Sequence, residues 1–168
     1  VKDNTRAFFA ESLGNPKLDV LDLQGISKFA KEAKVPFIVD NTVATPYLLN
    51  PIEHGANIVI HSLTKYVNGN GTAMGGIIIE GGTFNYGNGL FPEFTDPSPN
   101  YHGLNYHEAL GPAAFIARVR VEGLRDLGAA PSPFNSFQIL QGIETLSVEK
   151  GVEIFVHEAL AGGKRRVL

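Results

Sequence analysis

Hydrophobic and polar positions along the first third of the chain fall into blocks whose period changes. Residues 6–10 (RAFFA) form a short apolar run that ends at Glu11, and Leu13-Gly14-Asn15-Pro16 then turns the chain, which predicts a buried strand and its exit. Val20, Leu21, Leu23, Ile26, Phe29, Ala30 and Ala33 recur at helical spacing, so residues 22–34 read as an amphipathic helix. Lys28, Lys31 and Lys34 line its other face and its C-terminal end, where cations suit the helix dipole. Residues 35–39 (VPFIV) read as a strand stopped by Asp40-Asn41-Thr42. A short helical segment around 47–54 follows, then strands at 57–60 (NIVI) and 75–80 (GGIIIE). Strands separated by helices imply an α/β fold, with a mostly parallel sheet covered by helices on both faces.

Residues 81–106 break the pattern, with Gly, Pro, Asn and aromatics in no period and Pro92, Pro97 and Pro99 as punctuation. A stretch of this length without period inside a domain is usually functional or part of an interface. Helical spacing returns at about 108–127 and 134–148. The remainder carries a weaker helix at 152–161 and a basic tail, GGKRRVL. There is no internal repeat.

Composition narrows the classes. A length of 168 residues suits one compact domain. Lys+Arg 14 against Asp+Glu 17 leaves a net charge of −3, too mild and mixed to suggest a nucleic-acid surface. Hydrophobic content of 43% excludes a disordered tail, while 18% charged residues falls below the usual value of about 25% and implies a surface partly covered by something else. The absence of Cys excludes disulfides, thiolate zinc sites and a Cys nucleophile. No apolar run is long enough to span a membrane and no secretory signal pattern opens the chain, so the cytoplasm is the expected location.

The strongest local signal for chemistry is His61-Ser62-Leu63-Thr64-Lys65, directly after a strand and before a Gly-rich loop. The plainer reading is a solvated Lys in a turn, with the two hydroxyls bonding local backbone. The sharper one is a Schiff-base lysine, with Ser62 and Thr64 placed to hold a phosphate on the same cofactor. Asp40 closes another strand, where open α/β sheets place ligands. It reads either as a turn or N-cap residue, or as a carboxylate that keeps a pyridine nitrogen protonated. Asn15 lies just past a strand end, where an Asn-Pro turn would account for it. Gly69-Asn70-Gly71-Thr72-Ala73-Met74-Gly75 misses the dinucleotide fingerprint and precedes a strand, not a helix. His102 and His107 have the wrong spacing for a helical zinc pair, so no metal is expected. Phe91, Phe94, Tyr101 and Tyr106 read as packing aromatics, because no basic stripe accompanies them.

ESLGNP, VDNTVATPYLLNP and HSLTKYVNGNGTAMGG, with Asn15, Asp40 and Lys65 each 25 residues apart, resemble the Cys/Met-metabolism family of pyridoxal-phosphate (PLP) enzymes. The segment from GLFPEF to QILQGIETL is similar to the O-acetylhomoserine sulfhydrylases within it. The resemblance implies a fold-type-I, aspartate-aminotransferase-like large domain. It implies that Lys65 carries PLP as a Schiff base and serves as the catalytic residue. Asp40 would pair with the ring nitrogen, Ser62 and Thr64 would bind the phosphate, Asn15 would bond the phenolic oxygen, and Thr42 would lie near the ring.

The implied reaction is a γ-replacement in which O-acetyl-L-homoserine and sulfide, or a thiol, give L-homocysteine, or methionine, and acetate. A γ-lyase of the cystathionine or methionine type is the alternative activity, and a truncated non-catalytic piece is the alternative class. The implied partners are small molecules, with no nucleic acid and no membrane, and the implied assembly is a homotetramer. Residues 1–147 are expected to be the central part of the large domain. Residues 148–168 are expected to be an atypical C-terminal helix and tail, and the small C-terminal domain to be absent.

Overall fold

In the computed structural model, which describes residues 1–148, four short strands form one sheet in the order β1-β2-β3-β4. They are β1 (Phe8–Glu11), β2 (Phe37–Asp40), β3 (Ile58–Ser62) and β4 (Gly76–Glu80). The first three run parallel, with Phe8 opposite Phe37 and Ile38 opposite Ile58. β4 returns antiparallel beside β3, with Ser62 opposite Gly76. The sheet is thus mostly parallel, as the alternation of strands and helices implied. All four strands begin one or two residues later than the ranges read from the sequence, and β3 runs on past residue 60 to Ser62. Pro36 has no N–H to give the ladder, so β2 starts after it, and the Phe8 N–H donates to the Pro36 carbonyl at 3.0 Å.

Helix α1 (Leu23–Glu32) makes the crossover between β1 and β2. Asp22 caps it by accepting from the Gly25 N–H at 2.9 Å, and just past its end Lys34 takes a positive φ of 56°. Its buried face, Leu23, Ser27 and Ala30, packs on a core that includes Phe37, Val39 and Val59. The segment expected as one short helix at 47–54 is instead α2 (Thr45–Leu48) and a 3-10 turn at Pro51–His54. Gly55 closes that turn at φ 95°, and a Cβ there would strike Ser27, whose hydroxyl donates to the Gly55 carbonyl.

The region beyond β4 is less regular. A short helix α3 (Pro92–Thr95) sits inside the stretch that shows no period, and Tyr86, Phe91, Phe94 and Tyr106 bury their rings in a second, aromatic core. The continuous helix expected at 108–127 is broken into α4 (Tyr106–Leu110), a 3-10 turn, α5 (Ala114–Arg118), a π-helical turn at Val119–Leu124 and α6 (Arg125–Leu127). The break falls at Gly111, with φ 50°, and at Pro112, which has no N–H to donate. Glu122, in the π turn, accepts from Ser98 Oγ at 2.6 Å, Tyr106 Oη at 2.9 Å and Arg118 Nε at 3.0 Å. This pins the irregular segment to α5.

Helix α7 (Pro133–Ile143) starts at a Ser132 cap and ends before the residue at 148 where its pattern was expected to stop. It lays Ile139 on Val67 and Ala73, in the loop after β3. The expected helix at 152–161 and the tail lie outside the described residues. Among the described residues coverage of the sheet is incomplete, since Ile77, Ile78 and Ile79 of β4 remain about 40% exposed on both faces.

Candidate active site

Because β1, β2 and β3 are parallel, their carboxyl ends meet at one edge of the sheet, as open α/β folds require for a ligand site. Their last residues are Glu11, Asp40 and Ser62. Beyond them a cleft of about 720 Å³ opens, within the usual range for small-molecule sites. Asn15, Asp40, Thr42, Ser62, Thr64 and Lys65, the six residues singled out in the sequence, all line it.

The Asp40 carboxylate is half-buried. Its Oδ1 accepts from the Thr42 N–H at 2.9 Å and from the Thr42 hydroxyl at 2.5 Å. Thr42 Oγ1 in turn accepts from the Ser62 N–H at 2.8 Å, so the ends of β2 and β3 are joined through a side chain. Lys65 sits in a tight turn, where the Lys65 N–H donates to the Ser62 carbonyl and the Gly69 N–H to the Lys65 carbonyl. The turn is held from below by buried Asn68, which donates to the Ala73 carbonyl at 3.3 Å. Thr64 Oγ1 accepts from the Gly75 N–H at 3.1 Å and makes a longer 3.3 Å contact to the Gly75 carbonyl. Asn15 is placed by its own N–H, which donates to Glu11 Oε2 at 2.8 Å.

Residues the sequence reading passed over complete the site. Glu11 and Tyr66 line the cleft. Fully buried Asn41 is its hub: the amide donates to the carbonyls of Thr45 and Leu49, and Ser12 donates to its Oδ1 at 2.8 Å. The signal for Asn41 is present, since an Asn that ends an apolar run must pair its two N–H donors and its carbonyl oxygen on leaving water. His61, also buried, has its pKa lowered by desolvation, against the opposing pull of the Asn41 backbone and the Asp40 charge. Adjacency to Ser62 brings the His61 ring into no relay, because residues next to each other in a strand face opposite sides of the sheet.

The donor set fits a phosphorylated aromatic aldehyde. Among the described residues, no hydrogen bond engages the Lys65 amine, the Ser62 hydroxyl or the Asn15 side-chain amide, all of which line the cleft. An amine, a hydroxyl and a carboxylate with one oxygen outside the bonds from Thr42 are the groups an aldehyde, a phosphate and a pyridine nitrogen each need. Among the described residues no group of three His, Asp or Glu side chains could hold a metal ion, and no helix is long and apolar enough to cross a membrane.

Comparison with known proteins gives the same direction. The family model of the Cys/Met metabolism PLP-dependent enzymes matches residues 1–151. An O-acetyl-L-homoserine sulfhydrylase from Leptospira meyeri is 60% identical over 152 residues, covering 86% of this chain and 34% of that protein. O-acetyl-L-homoserine sulfhydrylase 1 from Thermus thermophilus is 47% identical, over 94% of this chain and 38% of its own length. Among solved structures, a candidate O-acetylhomoserine (thiol)-lyase from Campylobacter jejuni that contains N'-pyridoxyl-lysine-5'-monophosphate superposes with a TM-score of 0.82. It shares 46% identity over 88% of this chain and 37% of that one. The chain spans a little over a third of the length of the curated relatives it matches.

Proposed function

The chain belongs to the Cys/Met metabolism family of PLP-dependent enzymes, and on that premise we propose that it carries the cofactor site of an O-acetylhomoserine sulfhydrylase. The reaction is γ-replacement, in which O-acetyl-L-homoserine and sulfide or a thiol give L-homocysteine or methionine and acetate. The observation that supports this reading is the convergence of Asn15, Asp40, Thr42, Ser62, Thr64 and Lys65 on one cleft at three parallel strand ends.

In this reading PLP, when bound, supplies a ring that withdraws electrons from the substrate carbons. Lys65 would hold it covalently, and its free amine would serve as the base that moves protons at the substrate Cα and Cβ. Asp40 would offer the ring nitrogen the oxygen that Thr42 leaves free. Ser62 donates its hydroxyl to a phosphate oxygen. Thr64 can turn its proton from the long contact with Gly75 to the same phosphate while still accepting from the Gly75 N–H. Asn15 offers its amide to the ring's phenolic oxygen.

Residues 1–147 are then the central part of a PLP-binding large domain. A cytoplasmic homotetramer is part of the same proposal. The apolar side chains that β4 and α7 leave exposed support assembly.

Incubation with excess PLP, borohydride reduction and peptide mass spectrometry tests the site. Pyridoxyl mass on Lys65, lost in Lys65→Ala, is expected, and an unmodified Lys65 overturns the reading. Product analysis with and without sulfide then separates replacement from elimination, and a γ-lyase would release its keto acid without sulfide. Loss of turnover in Lys65→Ala should be at least about a thousandfold, since one group serves as anchor and base.

A further inference from the structure

The sheet's parallel ladder is incomplete where it meets the cleft. Asn41 N–H donates to the Ile60 carbonyl at 2.9 Å, and regular parallel pairing would next have the Ser62 N–H donate to the Asn41 carbonyl. That carbonyl instead accepts the Thr45 N–H at 2.9 Å as the chain turns into α2, and the Ser62 N–H does not reach it. The Ser62 N–H would be left without a partner at a half-buried position. Thr42 Oγ1 takes it instead, at 2.8 Å, so a side chain supplies the missing rung.

A Thr hydroxyl has one proton and two lone pairs. Here one lone pair receives the Ser62 N–H, and the proton goes to Asp40 Oδ1 at 2.5 Å. The Thr42 N–H adds a second bond to the same oxygen. With its one proton committed to Asp40, Thr42 has none to offer a ligand. What it can do is fix two things together. The direction of the Asp40 carboxylate is set from the Thr42 side, and the position of Ser62, from which the Thr64–Lys65 turn hangs, is set by the same oxygen.

We propose that Thr42 is a positioning residue, whose hydroxyl replaces a backbone rung and couples the aim of Asp40 to the placement of the Ser62–Lys65 turn. The proposal deepens the PLP reading of the cleft and rests on it. It separates Thr42 from Ser62 and Asn15, whose side-chain donors face the cleft uncommitted.

The test compares Thr42→Val, which keeps the shape and removes the hydroxyl, with Thr42→Ser, which restores it. In the apo protein, exchange of the Ser62 amide hydrogen should accelerate about tenfold in Thr42→Val and return close to the wild-type rate in Thr42→Ser. In the PLP-loaded full chain, the dissociation constant of PLP should rise on the order of tenfold in Thr42→Val, the effect of one lost hydrogen bond to a charged group. The pH midpoint of the cofactor's visible absorption should shift in the same variant, and both should recover in Thr42→Ser. A merely structural loss would leave that midpoint in place. A Thr42→Val protein with wild-type PLP affinity and midpoint overturns the proposal. A wild-type chain that binds no PLP overturns the reading of the cleft instead, and the Ser62 amide in the apo protein still decides whether the rung exists.

Discussion

Asn41 and His61 stand next to Asp40 and Ser62 in sequence and are buried among the polar groups that hold the site. Asn41 satisfies its amide inside the protein through Ser12, Thr45 and Leu49. The Thr45 backbone it grips has a φ of 64°, a conformation that a β-branched residue adopts only when its surroundings enforce it. His61 is different, because its burial disfavours charge. With its folded-state pKa below the ordinary 6.5, the unfolded chain binds that proton more readily. His61 therefore contributes stability that is complete above pH 6.5 and is lost as pH falls through the folded-state value.

Glu80 is shifted the other way, upward by burial, so its contribution is present at low pH and lost as pH rises. Comparing wild type with His61→Gln cancels the Glu80 effect. Between pH 7.5 and 5.5 the wild type should lose more stability by urea denaturation than His61→Gln does. Equal losses would show that His61 does not titrate in this interval.

At the scale of elements, α7 acts as a buttress for the loop that carries Lys65. Ile139 fills the space between Val67 and Ala73, and the helix comes so close at Gly142 that a Cβ there would strike the Asn68 carbonyl. Asn68 is buried and spans the same loop. Gly142→Val should therefore force helix and loop apart, at a cost of about 1–3 kcal/mol for an overpacked contact. For a domain of this size that is a fall in Tm of roughly 2–12 °C. The displaced loop should also reduce PLP loading of Lys65, read by absorbance after dialysis. A Gly142→Val protein that melts and loads as wild type would mean the close approach carries no constraint.

For the whole molecule, the pattern of exposure is the telling feature. Ile77, Ile78 and Ile79 lie on an edge strand, and Phe134, Phe137 and Leu140 on α7 are more than half exposed. An edge strand with apolar side chains on both faces pairs readily with another chain. The 168-residue chain alone is therefore expected to self-associate, eluting in size-exclusion chromatography with light scattering well above 18.1 kDa. Ile78→Lys, which places a charge on the open edge, should shift the distribution toward monomer. A monodisperse monomer in the unaltered chain would contradict this expectation.

Much of the fold was legible in the sequence because its signals are local. Apolar runs that stop at Glu11, Asp40 and His61 mark strands and their exits, and the helical spacing between the first two makes the crossover that turns them parallel. Parallel strands necessarily bring those exits to one edge, so Asn15, Asp40 and Lys65, 25 residues apart, share a cleft. The break at Gly111-Pro112 was also written locally, but apolar spacing on both sides of it masks the missing N–H. What only the tertiary structure decided are the relations between segments. The antiparallel return of β4 depends on how the loop after β3 folds under α7. The engagement of the Asn41 carbonyl by Thr45, which leaves Ser62 to Thr42, depends on where one chain turn meets another. Hydrogen bonds across 20 residues, such as that from Ser62 to Thr42, leave no period in a sequence, because the partner's identity is set by the spatial register of two strands and not by its distance along the chain.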